Sequence, residues 1–404
     1  MGSPKLQIPV SQHYSICKGA CLNELQALPS NSVDLILTDP PYGLTNKKID
    51  MVEVLKTFLN GEDFVAEGGG YDNHDWDSFI PGPKTWAEQY RTLKPGGYLI
   101  AFGAKRTIHY LMTAIQMGGL DIKDHLIWFH GQGNPKSTRM EEALKEAKVN
   151  EEVIQMFGNY RADLRPMYEP IVVAQKPIDT PNLAYNLIRH GTGPLKAAEA
   201  SPEGYSGDII STTTLSNAEI FGGKLKGIHL VPPTVLDFAK PTKKERKRGV
   251  ENLVIPGAED SRPETSSFSN KVPINRYNFH PTVKPVELMS YLVELFSIEG
   301  AIVLDPYMGS ASTGIACLQK NRKFIGVELM ENYFKIAQSR LESEARGLRP
   351  PKVKSSIKEQ LLDNPSIHLM KEISKKMKAN TATIAEYRKF DELLKKFGTI
   401  YEAA

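Results

Sequence analysis

Residues 39–42, DPPY, follow two positions after the short apolar run SVDLI and combine an acid, two prolines and an aromatic ring. The run predicts a buried strand, and the end of a strand would by itself account for one proline or one acid, because both favour turns. Two consecutive prolines also fix the loop, so Asp39 and Tyr42 would have defined positions at the carboxyl end of that strand. In open α/β sheets, ligands bind at this end of the strands.

A second candidate segment is VLDPYMGSASTG, residues 303–314, in which a predicted strand ends at Asp305 and a loop of small residues opens a helix. Small residues let the backbone approach a ligand, and the start of a helix offers free N–H groups. A further strand, KFIGVE, ends at Glu328, where an acid can accept hydrogen bonds from ribose hydroxyls. No GK[ST] sequence follows, which disfavours phosphate binding. A nucleoside ligand with positive charge, such as S-adenosylmethionine, fits this pattern, with its amino group near Asp305.

This second segment gives DPPY a chemical interpretation. The exocyclic amine of adenine is a poor nucleophile because its lone pair is delocalised into the ring. Two acceptors held against its N–H bonds, the Asp39 side chain and the Pro40 carbonyl, would localise that lone pair on nitrogen. The Tyr42 ring would offer a face on which a flipped base stacks, a contact worth roughly 1–3 kcal/mol.

Helices and strands alternate along most of the chain, which favours a parallel sheet covered by helices. Predicted strands include SVDLI, residues 98–102, DIKDHLIWF and YEPIVVAQ, and TWAEQYRTL and RTIHYLMTAIQM are predicted helices. KPGG is predicted to form a turn before the strand at 98–102, and residues 45–80 are predicted to be rich in loops, with a mobile segment at the three glycines. Residues 131–160 are predicted to form a loop followed by a charged helix. Residues 190–230 are rich in Gly, Ser and Thr and show weak periodicity.

Composition sets broad limits on function. The 404 residues are 41% apolar and 24% charged, with a formal net charge of +3, which is ordinary for a soluble globular protein. The amino end has no signal peptide, and the apolar runs are too short to cross a bilayer, so a cytoplasmic protein without membrane contact is expected. The three cysteines, Cys17, Cys21 and Cys317, have no metal-ligand spacing, and neither a zinc site nor a disulfide framework is expected.

The two motifs together resemble the β group of DNA adenine-N6/cytosine-N4 methyltransferases. DPPY comes first, and HPTVKP (280–285) and LDPYMGSASTG come much later, which is the order of that group. LKPGGYLIAF, YEPIVVAQKP, AKPTKKERKRG and PVELMSYL look similar as well, and the resemblance covers roughly residues 14–345. It implies an S-adenosylmethionine-dependent enzyme with the residues Asp39, Pro40, Pro41 and Tyr42 at the target amine. It implies cofactor contacts from Asp305, Pro306, Tyr307, Gly309, Ser310, Ser312, Glu328, Leu329, His280, Thr282 and Lys284, with Thr282 and Lys284 beside the methionine end.

The sequence departs from the group at three positions. Ala311 stands where glycine is usual, Tyr307 where phenylalanine is usual, and Ala20 where an acid near the cofactor's adenine is usual. The residues that hold that adenine are therefore left open.

The residues of the two motifs and their order also bear on four alternative functions. Cytosine-N4 methylation uses the same chemistry, but relatives that prefer cytosine carry serine in place of Asp39, so adenine is favoured. Cytosine-C5 methylation needs a cysteine nucleophile, usually after proline, and no cysteine here follows proline. Methyltransferases for RNA bases or protein glutamine normally place the cofactor loop first. A non-catalytic DNA-binding protein with a decayed site is disfavoured because both motifs are otherwise intact.

The resulting prediction is a Rossmann-like α/β methyltransferase sheet with an inserted target-recognition region and a helical carboxyl-terminal tail. Its parts would be a catalytic half (1–130), the insert (131–230), a cofactor-binding half (231–348) and a helical extension (349–404). Residues 240–248 contain six basic residues against one acid. Double-stranded DNA is the expected partner, and its phosphates are expected to contact Lys243, Lys244, Arg246, Lys247 and Arg248. A homodimer is expected from the amphipathic tail helices and the apolar face of VELMSYLVELF.

Overall fold

The computed structural model describes residues 12–45, 48–66, 77–130, 138–162, 164, 167–196, 209–211, 235–251, 253, 278–346, 348, 364–379 and 381–403. The strands are β1 (Tyr14–Lys18), β2 (Val33–Thr38), β3 (Leu93–Phe102), β4 (Asp121–Phe129), β5 (Tyr168–Gln175), β6 (Ile209–Ser211), β7 (Val235–Asp237), β8 (Ile302–Asp305) and β9 (Lys323–Glu328). The helices are α1 (Cys21–Ala27), α2 (Met51–Leu59), α3 (Pro83–Thr92), α4 (Ile108–Met117), α5 (Met140–Glu146), α6 (Glu151–Phe157), α7 (Leu183–His190), α8 (Lys243–Lys247), α9 (Val286–Phe296), α10 (Ser312–Gln319), α11 (Glu331–Ala345), α12 (Pro365–Lys378) and α13 (Ile384–Ala403).

These strands form one sheet of nine in the order β1-β9-β8-β2-β3-β5-β4-β7-β6. All neighbouring pairs are parallel except those of β5, which is antiparallel to both β3 and β4. The chain continues from β8 to β9 on one side and from β2 to β3 on the other. The boundary between β8 and β2 is therefore the topological switch point, where a crevice opens at the carboxyl ends of the strands.

Helices cover both faces of the sheet, which explains why β2 has no exposed residue. Leu35 and Leu37 face one apolar cluster, and Val33 and Ile36 face the other. A parallel strand buried on both faces is expected to be apolar throughout, as β2 largely is. The predicted α/β fold class is confirmed.

The structure corrects the predictions at three local points. The KPGG segment does not form a turn before the strand, because β3 already begins at Leu93 and pairs there with Val33. The next pair is Leu35 with Tyr98, so these residues bulge from the strand, with Gly96 at φ +76°. Residues 45–80 contain the helix α2, capped by the Asp50 side chain. The charged helix after residue 131 is two short helices, α5 and α6.

The proposed boundaries of the insert, 131 and 230, do not divide the sheet. β5 lies inside 131–230, yet it occupies the position between β3 and β4 in the sheet of the catalytic half. Its sequence YEPIVVAQ is continuously apolar from Pro170 to Ala174, which suits a buried central strand. Most of 190–230 lies outside the described residues, as do the three glycines at 68–70.

Part of the apolar surface that suggested a homodimer is covered within the chain. Residues of α9, including Leu288, Leu292 and Val293, are part of the main apolar cluster. The helices α12 and α13 pack on each other through Ile367, Met370 and Leu393. Dimerisation stays a prediction without this support. Within the described part of the chain, every helix is too short or too polar to span a bilayer.

Candidate active site

The two sequence motifs meet at the switch point. β2 ends at Thr38, whose hydroxyl donates to Asp305 Oδ1 over 2.8 Å, and β8 ends at Asp305 itself. The Thr313 hydroxyl in α10 donates to the other oxygen, Oδ2, at 2.6 Å. These bonds join the DPPY loop to the loop of small residues, although 267 positions separate Thr38 from Asp305.

A cavity of about 360 Å³ opens between the two loops. Predicted site residues in its lining are Asp39, Pro40, Pro41, Tyr42, His280, Thr282, Lys284, Asp305, Pro306, Tyr307, Gly309, Ser310, Ser312, Glu328 and Leu329. All fifteen residues predicted for the target amine and the cofactor thus border one cavity. Its size and mixed lining are those of a small-molecule site.

Asp39 presents one occupied and one unoccupied oxygen. Oδ2 accepts from the Lys284 ammonium at 2.5 Å. Oδ1 is buried and has no hydrogen-bond partner in the structure. A buried acceptor without a partner costs free energy, about 1–3 kcal/mol, so such an atom on a residue that lines a cavity suggests a place for a donor from a ligand. Burial raises the pKa of Asp39, and the Lys284 charge opposes that rise.

Lys284 is shared between two carboxylates. Its side chain is 5% exposed, and its Nζ also lies 3.2 Å from the Tyr42 hydroxyl and 3.4 Å from Glu169 Oε2. Tyr42 in turn donates to Glu169 Oε2 at 3.0 Å. The position of Lys284 beside the methionine end of a cofactor stays a prediction, and in the structure its ammonium contacts Asp39 and Tyr42. Burial acts to lower the pKa of Lys284, but the two carboxylates outweigh it and the pKa is raised.

Glu169 was not predicted as a site residue. It lies at the amino end of β5, and because β5 is antiparallel, that end is at the same edge as the carboxyl ends of β2 and β8. The sequence held one signal, since YEPIVVAQKP is part of the family resemblance, but its acid was not assigned a role.

The DPPY loop is held from two further sides. Asp77 Oδ1 accepts from the backbone N–H groups of Tyr42, at 2.6 Å, and Gly43, at 3.0 Å. The Thr107 hydroxyl, at the start of α4, donates to the Tyr42 carbonyl at 2.7 Å. Neither residue was predicted, and both fix the loop through its backbone, which leaves the Tyr42 ring free to be positioned by Lys284 and Glu169.

Asp305 and Glu328 both hold the backbone of the small-residue loop. Asp305 accepts from the N–H of Tyr307 as well as from the two threonines, so most of its hydrogen-bonding capacity is already used. Glu328 accepts from the N–H groups of Gly309 at 2.9 Å and Met330 at 2.8 Å. Burial raises the pKa of Asp305 to about 6 and that of Glu328 to about 7.

The departure at Ala311 has a structural consequence. Ala311 precedes α10 with φ 60° and ψ 39°, in the left-handed region that glycine adopts without strain. The usual glycine of the family would avoid this backbone strain, which costs a residue with a Cβ about 1–2 kcal/mol. The loop is secured by Arg340, whose guanidinium donates to the Ser310 carbonyl and hydroxyl.

The departures at Ala20 and Tyr307 fall on the same wall of the cavity. Ala20, Cys21 and Tyr307 all border it, and the Tyr307 hydroxyl interacts with the Cys21 sulfur. That phenolic oxygen is absent from the usual phenylalanine. Burial raises the pKa of the Cys21 thiol to about 12, so it remains protonated.

Two arginines of the basic run expected to contact DNA make contacts within the protein. Arg246 is half-buried and donates to the His280 carbonyl at 2.5 Å, and Arg248 pairs with Glu344 at 3.0 Å. Their neighbour Glu245 accepts from the N–H of Val286 at the start of α9. Helix α8 therefore fastens the HPTVKP segment. Lys243 and Lys244 are exposed, and Lys247 is partly exposed.

Residues 33–339 match the N6/N4 DNA methylase family. This chain belongs to that family. The type II methyltransferase M.HindIII of Haemophilus influenzae is 25% identical over 338 residues, which cover 80% of this chain and 93% of that protein. The DNA adenine methyltransferase YhdJ of Escherichia coli is 24% identical over 329 residues, covering 81% of this methylase and 82% of YhdJ. The solved structure of an M1.HpyAVI–SAM complex has 19% identity and a TM-score of 0.43, covering 81% of this chain and 98% of that one. The predicted membership of the amino-methyltransferases is confirmed.

Proposed function

We propose that this N6/N4 DNA methylase transfers a methyl group to the N6 amine of adenine in double-stranded DNA. The observation that carries the proposal is at Asp39, a residue of the cavity lining whose buried Oδ1 has no hydrogen-bond partner in the structure. An amine N–H is the donor that such an atom lacks. Adenine is favoured over cytosine by Asp39 itself, because relatives with serine at this position prefer cytosine.

The residues around the cavity fit S-adenosylmethionine, which supplies an electrophilic methyl group when bound. Gly309 lets His280 approach the small-residue loop closely, since a Cβ there would lie 2.7 Å from His280 Nε2, and both residues line the cavity. Glu328 is placed for a ribose, as an acid at the end of β9 with part of its accepting capacity left. The remaining lone pair on Asp305 Oδ2, which accepts only from Thr313, suits an ammonium group.

The chain's own residues would prepare the target amine. Asp39 Oδ1 accepts one N–H and the Pro40 carbonyl accepts the other, which localises the nitrogen lone pair toward the cavity. The Tyr42 ring stacks on the flipped base and is held in place by its hydroxyl contacts with Lys284 and Glu169. Fixing the reacting groups in this way removes an orientational cost, which is a large share of catalysis in such transfers.

The test is methyl transfer from labelled S-adenosylmethionine to mixed duplex DNA, followed by digestion to nucleosides. The expected product is N6-methyladenine, and Asp39→Ala should lose transfer while keeping the fold and most cofactor affinity. Asp50→Ala, which removes an exposed helix cap on the neighbouring α2, is the matched control and should stay active. N4-methylcytosine as the only product would assign cytosine as the target, and full activity of Asp39→Ala would remove Asp39 from the mechanism.

We also propose that the insert (131–230) recognises the DNA sequence. β4 ends and β5 begins at the catalytic edge of the sheet, so the segment between them, with α5 and α6, leaves the sheet beside Tyr42 and Glu169. Exchanging residues 138–162 for those of a relative should change the methylated sequence, as read by modification-sensitive sequencing, without changing the modified base. An unchanged sequence preference would assign recognition to another segment.

A further inference from the structure

We propose that Glu169 is a positioning residue for methyl transfer, which compensates the charge of Lys284 so that Asp39 can face the positive charge that develops on the target amine. The inference rests on the proposed function. Its basis is a three-residue charge cluster, Asp39–Lys284–Glu169, at the edge where the DPPY loop borders the cavity.

Lys284 touches both acids, but in different ways. Its ammonium lies 2.5 Å from Asp39 Oδ2 and 3.4 Å from Glu169 Oε2. It also donates to the Tyr42 hydroxyl, which passes a hydrogen bond on to the same Glu169 oxygen. Glu169 is thus bound to the cation directly and through Tyr42, and its own side chain is 23% exposed.

The charges of this cluster matter because the reaction moves charge. The lone pair of the amine nitrogen forms the bond to the methyl carbon, and the carbon–sulfur pair stays on sulfur. The nitrogen then carries a positive charge until it releases one proton to Asp39 or water. With both acids ionised and Lys284 charged, the cluster has one surplus negative charge, which matches the charge arriving on nitrogen.

Without Glu169, that match disappears. The Asp39–Lys284 pair would then be neutral overall. The positive charge on the target amine, at one oxygen of Asp39, would no longer be matched by a surplus negative charge, because the Lys284 ammonium at the other oxygen would cancel it. Preorganised charge facing a transition state is among the largest contributions to catalysis in a site shielded from water. Glu169 therefore permits Lys284 to fill Asp39 Oδ2 without cancelling the carboxylate at Oδ1.

A purely structural role for Glu169 makes a different prediction. In that case the acid would only anchor the Tyr42 hydroxyl, and glutamine would do the same, because its amide oxygen accepts the same hydrogen bond. Glu169→Gln removes the charge and keeps the shape, so it separates the two roles.

The experiment measures single-turnover methyl transfer, DNA binding and 2-aminopurine fluorescence for Glu169→Gln, Lys284→Met and the double variant. Glu169→Gln should slow transfer on the order of 10- to 100-fold and leave duplex affinity and base flipping within about twofold. The double variant restores the surplus negative charge and should recover at least about threefold over Glu169→Gln. The acid limb of kcat/KM should also move to lower pH in Glu169→Gln, since Glu169 is one of the charges that raise the pKa of Asp39.

The outcomes are distinguishable from a failure of the proposed function. If the unmodified protein transfers no methyl group to any duplex, the proposed function is wrong. If it is active and Glu169→Gln is equally active with an unmoved acid limb, Glu169 has no electrostatic role. Loss of transfer together with loss of flipping, with no recovery in the double variant, would assign Glu169 a structural role at Tyr42 and overturn the inference.

Discussion

Replacing Lys284 by methionine should lower the stability of the protein in a strongly pH-dependent way. The side chain is 5% exposed and its ammonium is the cation between Asp39 and Glu169. Methionine has a similar volume, so packing is largely kept while two carboxylates, 15% and 23% exposed, face each other without a counter-charge. Removing one partner of a buried ion pair costs about 3–5 kcal/mol, and we expect a value near the lower end, about 3 kcal/mol, at pH 8 because both acids retain some solvent contact.

The loss should shrink as the pH falls. Lys284 lowers the pKa of Asp39, so its removal lets burial and the neighbouring acid raise that pKa further. A carboxyl group whose pKa is higher in the folded than in the unfolded chain binds extra protons on folding, which favours the folded state at low pH. The deficit of Lys284→Met relative to the unmodified protein should therefore diminish by about 1.4 kcal/mol for each pH unit over which one extra proton is held.

Urea unfolding followed by circular dichroism at pH 5, 6, 7 and 8 measures both quantities. Lys320→Met is the matched control, because Lys320 pairs with Glu294 at 2.7 Å but is 36% exposed. That variant should lose less than about 1 kcal/mol, as exposed ion pairs do. A deficit for Lys284→Met that is the same at pH 5 and pH 8 would show that packing, rather than charge, is responsible, and would refute the argument.

Three further predictions concern the loop, the ring and the basic run. In urea unfolding, Ala311→Gly should leave the free energy of unfolding unchanged or raise it by up to about 1 kcal/mol, because relief of left-handed backbone strain offsets the added chain entropy. Ala316→Gly, buried within α10, is the control and should lower the free energy of unfolding by about 1 kcal/mol or more. Tyr42→Phe should keep most of the affinity for duplex DNA, whereas Tyr42→Ala should lose roughly 1–3 kcal/mol of base stacking. Binding titration and 2-aminopurine fluorescence measure these effects, and equal losses of affinity in the two variants would assign the contribution to the hydroxyl instead of the ring face. Changing the exposed Lys243 and Lys244 to Gln should lower the slope of log affinity against log salt by roughly 0.9 for each phosphate contact that is lost. Arg246→Gln, which releases the His280 carbonyl, should instead lower activity more than it lowers the salt dependence of DNA binding. An unchanged slope for the lysine pair would exclude these lysines from the DNA contact.

The sequence could predict the parts of this site that lie at ends of parallel strands. Asp39 and Asp305 each follow an apolar run, and the sheet brings such ends to one edge whichever order the strands have. Glu169 could not be found in this way, because it lies at the amino end of its strand and reaches the same edge only because β5 runs antiparallel to its neighbours. Strand direction depends on pairing with β3 and β4, which local patterns do not encode.

Local composition also misled where long-range contacts decide the conformation. Gly96 and its neighbours were predicted to form a turn, yet the backbone stays in the strand because Gly96 N–H donates to the Lys176 carbonyl and Lys176 N–H to the Gly97 carbonyl. The basic run likewise has the composition of a solvated DNA-binding surface. Arg246 folds back because the HPTVKP carbonyls need donors, which a charge pattern cannot reveal.

The arrangement also bears on how one fold can serve two bases. In the proposed function, Asp39 Oδ1 and the Pro40 carbonyl would contact only an exocyclic NH₂ group, which adenine and cytosine both carry next to a ring nitrogen. The Asp39–Lys284–Glu169 cluster would stabilise the same positive charge on the amine of either base. Besides Asp39, for which the family resemblance favours adenine, the walls beside the amine would then help to select the base, because the Tyr42 ring, held through its hydroxyl by Lys284 and Glu169, would set the plane of the base. The proposed chemistry and the choice of base would thus be partly separable, and substitutions at the cavity walls should change the base preference without removing methyl transfer.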